Sequence, residues 1–253
     1  SMKDGVVLTS TGETFRQKSW SAFVEDEWHI TDAVALTVGS RYEHHEVFGG
    51  HLSPRAYMVW DVADEWTLKG GVTTGYKAPG MGQLHKGISG VSGQGRTNLL
   101  GNPDLKPEES VSYEAGVYYD NHAGLNANIT GFMTEFSNKI VSYSIDDNTR
   151  SYTNSGKART QGVEFAGTLP LWSEDVTLSL NYTWTQSEQR DGDNKGAPLS
   201  YTPEHMVNAK LNWQITEDVS SWLGARYRGK TPRFTQNYSS LSAVQKKVYD
   251  EKG

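Results

Sequence analysis

Along much of the chain, apolar and polar residues alternate. Leu36, Val38, Ser40 and Tyr42 fall on one face of an extended segment, with Thr37, Gly39 and Arg41 on the other. The file Leu52, Pro54, Ala56, Met58, Trp60 and Val62 opposes Ser53, Arg55, Tyr57 and Asp61. Val111, Tyr113, Ala115, Val117 and Tyr119 oppose Ser112, Glu114 and Gly116. Val176, Leu178, Leu180, Tyr182 and Trp184 oppose Thr177, Ser179, Asn181 and Thr183. A period of two held for about ten residues predicts strands with one apolar and one polar face. About ten such strands are expected, near 15–29, 34–46, 52–62, 66–76, 110–119, 125–143, 151–168, 175–188, 201–214 and 219–229. Many are longer than the about 5–6 residues usual in globular sheets and match the about 9–11 that cross a bilayer at a tilt.

A hairpin unit repeats through this pattern. Trp28 leads through Asp32 to Val34, Trp60 through Asp64 to Trp66, and Trp213 through Glu217 and Asp218 to Val219. A shorter version runs from Trp172 through Glu174 and Asp175 to Val176. Each is a strand end, a tight acidic turn and a new alternating strand. Short connections near 30–33, 63–65, 120–124, 169–174 and 215–218 alternate with longer ones near 77–109, 144–150 and 189–200, although 47–51 is brief. Short turns on one rim and long loops on the other mark an outer-membrane barrel. Trp28, Trp60, Trp66, Trp172 and Trp213 lie beside the short turns, where an interfacial aromatic girdle belongs. The fold class is therefore all-β: an antiparallel up-and-down transmembrane β-barrel, in part.

Composition narrows this reading only a little. A mean hydropathy of -0.63 looks hydrophilic, yet strands apolar on one face alone keep the average low. No apolar run is long enough for a spanning helix. With 0 cysteines there is no disulfide framework and no thiolate metal site. A net charge of -6 leaves no basic footprint, so no nucleic-acid partner is expected.

Two segments carry a family resemblance. Tyr76, Lys77 and Pro79 precede Gly101, Asn102, Pro103, Asp104, Leu105, Lys106, Pro107 and Glu108, which lead into Tyr113, Glu114 and Gly116. Asn154, Gly156, Arg159, Gly162 and Glu164 form the second segment. Together they resemble the TonB-dependent outer-membrane receptor family. The 77–101 loop is most similar to its colicin-receptor branch, whose members take up catecholate siderophores. The resemblance covers nearly the whole chain from Phe15 onward. It implies a multi-pass barrel in the outer membrane of a Gram-negative bacterium, with its apolar faces in lipid and lipopolysaccharide. It also implies a ferric siderophore as cargo, energy from the TonB complex, and a colicin as a further partner. No resident cofactor is implied; iron enters only within the siderophore. Such receptors have an N-terminal plug inside a barrel of about 22 strands. Neither the plug, its energy-coupling box nor an aromatic-ended final strand is visible. Residues 1–14 are expected to be a cloning scar, from Ser1 and Met2, with a loop remnant. Residues 15–253 are expected to be a partial barrel.

The prolines at 103 and 107 preset an extended entry into the next strand, and Asn102 and Asp104 suit turn hydrogen bonds, so that motif reads as a structural brace. Candidate ligand or colicin contacts are the loop cations Lys77, His85, Lys86, Arg96, Arg150 and Arg190, since a ferric catecholate is anionic and aromatic. The competing reading for each is a solvated loop charge. Gly224, Gly229, Lys230 and Thr231 have Walker A spacing, but the string starts within a strand and no helical pattern follows Pro232. His44, His45 and His51 suggest a metal, yet adjacent strand residues point to opposite faces. Glu25, Asp26 and Glu27, with the acids at the turns, read as turn and rim residues, not as glycosidase carboxylates. No nucleophile–base pair stands out, so no enzymatic activity is expected. The alternatives are a passive porin or adhesin barrel, and a soluble carbohydrate-binding or hydrolytic β-protein. The soluble reading would place Leu36, Val38 and Met58 in a core.

Overall fold

The computed structural model describes residues 16–231 apart from 155, 174, 193, 194, 200 and 201, together with 243, 246, 247 and 250. The expected scar and loop remnant at 1–14, Glu174 of the short turn, Pro232 after the Walker string and residues 251–253 lie outside the described residues. In chain order the elements are β1 (Ser19–Thr31), β2 (Val34–His45), β3 (Gly49–Ala63), β4 (Trp66–Lys77), α1 (Met81–Leu84), β5 (Ile88–Ser92), β6 (Thr97–Leu100) and β7 (Glu108–Asp120). There follow β8 (Asn126–Ser137), β9 (Ile140–Asp146), β10 (Thr149–Asn154), β11 (Ala158–Leu171), β12 (Val176–Gln189), β13 (His205–Gln214) and β14 (Ser220–Arg228). Ten of the strands form one antiparallel meander in the order β1-β2-β3-β4-β7-β8-β11-β12-β13-β14. The other four, β5-β6-β10-β9, form a separate sheet in the long connections.

Register sorts the side chains. Val34, Trp60, Leu68, Val117, Ile129, Phe165, Tyr182, Val207 and Tyr227 pair successively across the large sheet, so they share a face. Glu25, Gly39, Arg55, Thr73, Ser112, Thr134, Thr160 and Ser187 form a row on the opposite face. The first row starts at Val34, the opening residue of β2, and arrives at Val207, well inside β13 and far from its turn end at Gln214. Successive strands are thus staggered in one direction, the tilt and shear a closing barrel requires.

No second layer covers the apolar face among the described residues. Val38, Leu52, Met58, Trp60 and Ile129 are exposed, and the described residues bury few apolar side chains, among them Leu105, Ala158 and Ala197. The soluble reading placed Val38 and Met58 in a core; instead they stand on an open wall. Trp28, Trp60, Trp66 and Trp213 are exposed near the short-turn rim, and Trp172 stands in its turn, 92% exposed with φ 48°. On the polar face, Tyr57 lies over Gly71 and Phe132 over Gly162, filling the space a side chain would take.

Three expectations need correction. The segments 125–143 and 151–168 are not single strands: Asn138, at φ 56°, ends β8, and β9 and β10 leave the wall as a loop hairpin before β11 resumes it. The 77–109 connection, read as one long loop, is narrower, since β4 ends at Lys77 and β7 starts at Glu108, and it holds α1 and the β5–β6 hairpin. Glu25, Asp26 and Glu27 are neither turn nor rim residues; they lie inside β1, where alternation sends Glu25 to Arg55 at 3.0 Å and Asp26 to the apolar face.

The two family motifs interlock and hold the loop sheet to the wall. Asn102 Nδ2 donates to the Tyr152 carbonyl at 2.9 Å, while its Oδ1 accepts the Asp104 amide at 2.9 Å. Asn154 Oδ1 accepts the Lys106 amide at 2.8 Å, and its Nδ2 reaches the carbonyls of Lys106 and Asn138 at 2.9 and 2.6 Å. Gly101 lies against the His85 backbone, where a Cβ would stand 2.1 Å from the carbonyl oxygen. Glu108 accepts the Ile140 amide at 2.8 Å. The brace reading of the Asn102–Glu108 segment is thereby given its partners.

Two outcomes follow. Gly162→Val in the complete receptor is expected to lower stability by about 1–3 kcal/mol in urea unfolding, through overpacking. A Cβ at Gly162 would lie 2.1 Å from the Trp184 carbonyl, whereas at Gly131 the nearest atom is 4.0 Å away, so Gly131→Ala is expected to be tolerated. Asn154→Ala removes the tie between the loop sheet and the brace; limited proteolysis of the folded receptor is expected to cut within 78–107 and 138–157 several-fold faster, with the wall intact.

Candidate functional site

The long-loop rim carries the candidate cations, and the loop sheet decides which of them meet. Its β6 and β10 run parallel, with Asn98 opposite Thr149 and Leu99 opposite Arg150. The Asn98 amide donates to the Asn148 carbonyl at 2.7 Å, so the tips of the β5–β6 and β9–β10 hairpins lie side by side. Arg96 closes the first tip, a turn in which Gly93, Gln94 and Gly95 all have positive φ. Arg150 starts the return strand of the second. Two arginines far apart in sequence therefore stand at adjoining hairpin tips, Arg96 in the turn and Arg150 on β10.

Lys86, Arg96 and Arg150 are exposed and form no ion pair among the described residues. Lys77 and Arg190 are placed differently. Lys77 ends β4 and pairs with Glu108 at 3.3 Å, and Arg190, just past β12, pairs with Glu188 at 2.9 Å. His85 follows α1, half-buried, its amide bonded to the Met81 carbonyl at 3.0 Å. Of the six, Arg96 and Arg150 are joined by the loop sheet, Lys86 immediately precedes its first strand, and Lys77 and Arg190 carry partner carboxylates.

Alternation within β9 and β10 adds groups that a search for cations passes over. Tyr152 shares the face of Arg150 and Leu99, while Tyr143 and Ile145 lie exposed on the reverse. Val141, Tyr143 and Ile145 alternate with serines, a period-two signal hidden by reading 125–143 as one continuous strand.

The decoys resolve by geometry. His45 is buried, its Nδ1 accepting the Val47 amide at 3.2 Å and its ring against Phe48. His44 faces Trp20, and His51 stacks on Tyr76 with centroids 4.2 Å apart. The three rings thus go to separate partners. Gly224 to Arg228 of the Walker string lie in β14, laddered to Lys210 through Met206, so their amides do not form a phosphate cradle.

Comparison with known proteins gives this wall and rim their kin. The family model described as "TonB dependent receptor-like, beta-barrel" matches residues 3–248. The iron-regulated outer membrane virulence protein of Vibrio cholerae is 40% identical over 223 residues, covering 83% of this chain and 34% of that protein. The ferrienterobactin receptor of Escherichia coli is 30% identical over 256 residues, covering 95% of this chain and 34% of the receptor. A crystal structure of a mutant ferric enterobactin receptor from Pseudomonas aeruginosa, in complex with enterobactin, superposes with a TM-score of 0.72 at 32% identity, over 85% of this chain and 33% of that one. The chain spans about a third of the length of the curated relatives it matches. With its staggered meander, open apolar face and interlocked loop motifs, the chain belongs to the TonB-dependent receptor family, as a section of its outer-membrane β-barrel.

Proposed function

We propose that this section forms part of the wall and outer rim of a TonB-energised receptor that captures ferric siderophores of the catecholate type. The observation that carries the proposal is the loop sheet, which brings together the two hairpin tips that carry Arg96 and Arg150. A ferric catecholate is a compact polyanion with aromatic faces. Guanidinium groups offer it charge, planar donors and a surface for stacking, and Tyr152 supplies an aromatic ring on the face of Arg150. Lys86 and His85 adjoin the same sheet, while Lys77 and Arg190 add charge at greater distance, each tempered by its carboxylate. The names of the relatives support this ligand class.

In this reading the polar face lines a lumen filled by a plug domain elsewhere in the receptor, and TonB acts through that plug. The apolar face meets lipid and, in the outer leaflet, lipopolysaccharide. A colicin using the receptor would meet the loop sheet first. The matched family favours this gated transporter over a passive porin. In this reading the receptor binds and moves its ligand without a chemical step, and iron is cargo held by the siderophore.

Replacing both Arg96 and Arg150 by alanine in the complete receptor is expected to weaken ferric enterobactin binding by about 10- to 100-fold, measured by intrinsic fluorescence quenching, through loss of two charge-assisted contacts. Arg190→Ala, whose charge is already paired, is expected to change the affinity less than about threefold. Unchanged affinity in the double variant would remove the capture role.

A further inference from the structure

Pro54 stands in the interior of β3, a strand with a neighbour on each side, where a residue without an N–H is out of place. Against β2 the register is unbroken, with Pro54 opposite Ser40 and His51 opposite Glu43. Against β4 it stops at Arg55 and Thr73, although β4 runs on to Lys77 and stays paired with β7 to that end. The Pro54 carbonyl accepts the Thr74 hydroxyl at 2.9 Å, so the backbone of Pro54 faces β4. In an antiparallel ladder a residue directs its N–H and C=O to the same neighbour. The donor that Pro54 lacks is therefore one that β4 needed. Toward the long-loop rim, Gly50 and Leu52 turn to the same side by the two-residue period, and no β4 residue is in register with them.

Side chains cross the gap instead. Alternation puts His51 with Arg55 on the polar face and Tyr76 with Leu68 on the apolar face. Their rings nevertheless stack, with centroids 4.2 Å apart and planes at 19°. Rings sent to opposite sides of a sheet meet only where no ladder stands between them. His51 Nδ1 also lies 3.8 Å from Glu109, the residue of β7 that is paired with Tyr76. Behind the stack is a cavity of about 360 Å3, lined in part by Arg41, Glu43, Ser53, Arg55 and Thr73 of the polar face. Tyr76 reaches that cavity from the apolar face, so its ring stands between the lumen side and the lipid side.

We propose that this stretch of the β3–β4 seam is a latched side opening in the barrel wall, a conformational device built into the fold. The outer ends of β2 and β3 part from β4 beyond Pro54. The Thr74–Pro54 hydrogen bond marks the hinge, and the His51–Tyr76 stack, backed by Glu109, is the latch. Opening joins the cavity beside Arg41 and Arg55 to the headgroup layer of the outer leaflet. The motion is inexpensive because it separates rings and side-chain contacts and breaks no rung of the ladder. The device needs only β2, β3, β4 and β7, and siderophore binding does not enter its test.

The complete receptor is placed in lipid nanodiscs and its amide hydrogen exchange is followed by mass spectrometry. Alternate amides face the gap, so peptides covering 50–54 and 74–77 are expected to contain a fraction exchanging about tenfold faster than 56–60 and 68–72. Tyr76→Ala is expected to speed that fraction several-fold further and to leave 56–60 unchanged. Pro54→Val returns the donor and is expected to slow it. A native seam that exchanges as slowly as the ladder below Pro54 overturns the device, and so does a Tyr76→Ala receptor whose fast fraction is unchanged. Should Tyr76→Ala fail to assemble, Pro54→Val decides: slower exchange supports the latched seam, and unchanged exchange overturns it.

Discussion

In hydrocarbon a peptide group has no water to turn to, and every N–H and C=O must find a partner within the protein. That constraint shapes this chain more than any side-chain contact. It is met by ten strands in an antiparallel meander, each laddered to its neighbours and joined by tight turns on one rim. Interruptions of the pattern, at Asn138 and in the 78–107 connection, occur where the chain has left the wall. With the backbone satisfied in this way, the side chains are free to serve two solvents, apolar in the Val34-to-Tyr227 row and polar in the Glu25-to-Ser187 row.

The lack of a conventional core follows directly. A single layer has nothing to bury against, so stability comes from ladder hydrogen bonds, from lipid on one face, and from local filling on the other. Tyr57 over Gly71 and Phe132 over Gly162 are examples of such filling. Small residues bring neighbouring backbones together, and a ring from the adjacent strand covers the gap. The loop sheet stands outside this scheme. It is tied by polar contacts from Asn102 and Asn154, where water is present and hydrogen bonds with specific geometry are needed.

Much of the wall was legible in the sequence because period-two alternation is imposed directly by the two solvents. Leu36, Val38 and Met58 fell on one face of their strands once their neighbours at 37, 39 and 57 were polar. The acidic turns and their tryptophans marked the near rim. The loops were less legible. Serines flanking Tyr143 carry little contrast, so the short alternation of β9 merged with β8 in the pattern. The pairing of β6 with β10 joins segments about fifty residues apart, and only coordinates put Arg96 and Arg150 at adjoining hairpin tips. Glu25, Asp26 and Glu27 misled because a run of three acids resembles a turn; alternation splits them between two environments.

Lipid contact along the apolar row is open to direct measurement. This section has 0 cysteines, so within it nitroxide labels can be placed singly at 36, 58 and 117 and, on the facing side, at 37, 57 and 116, with any cysteine elsewhere in the receptor replaced by serine. In the complete receptor in bilayers, the first set should collide with dissolved oxygen far more than with an aqueous nickel chelate, and the second set should show the reverse. Equal shielding of 36, 58 and 117 from both reagents would mean that protein, not lipid, covers that face, and the barrel-wall reading would be contradicted.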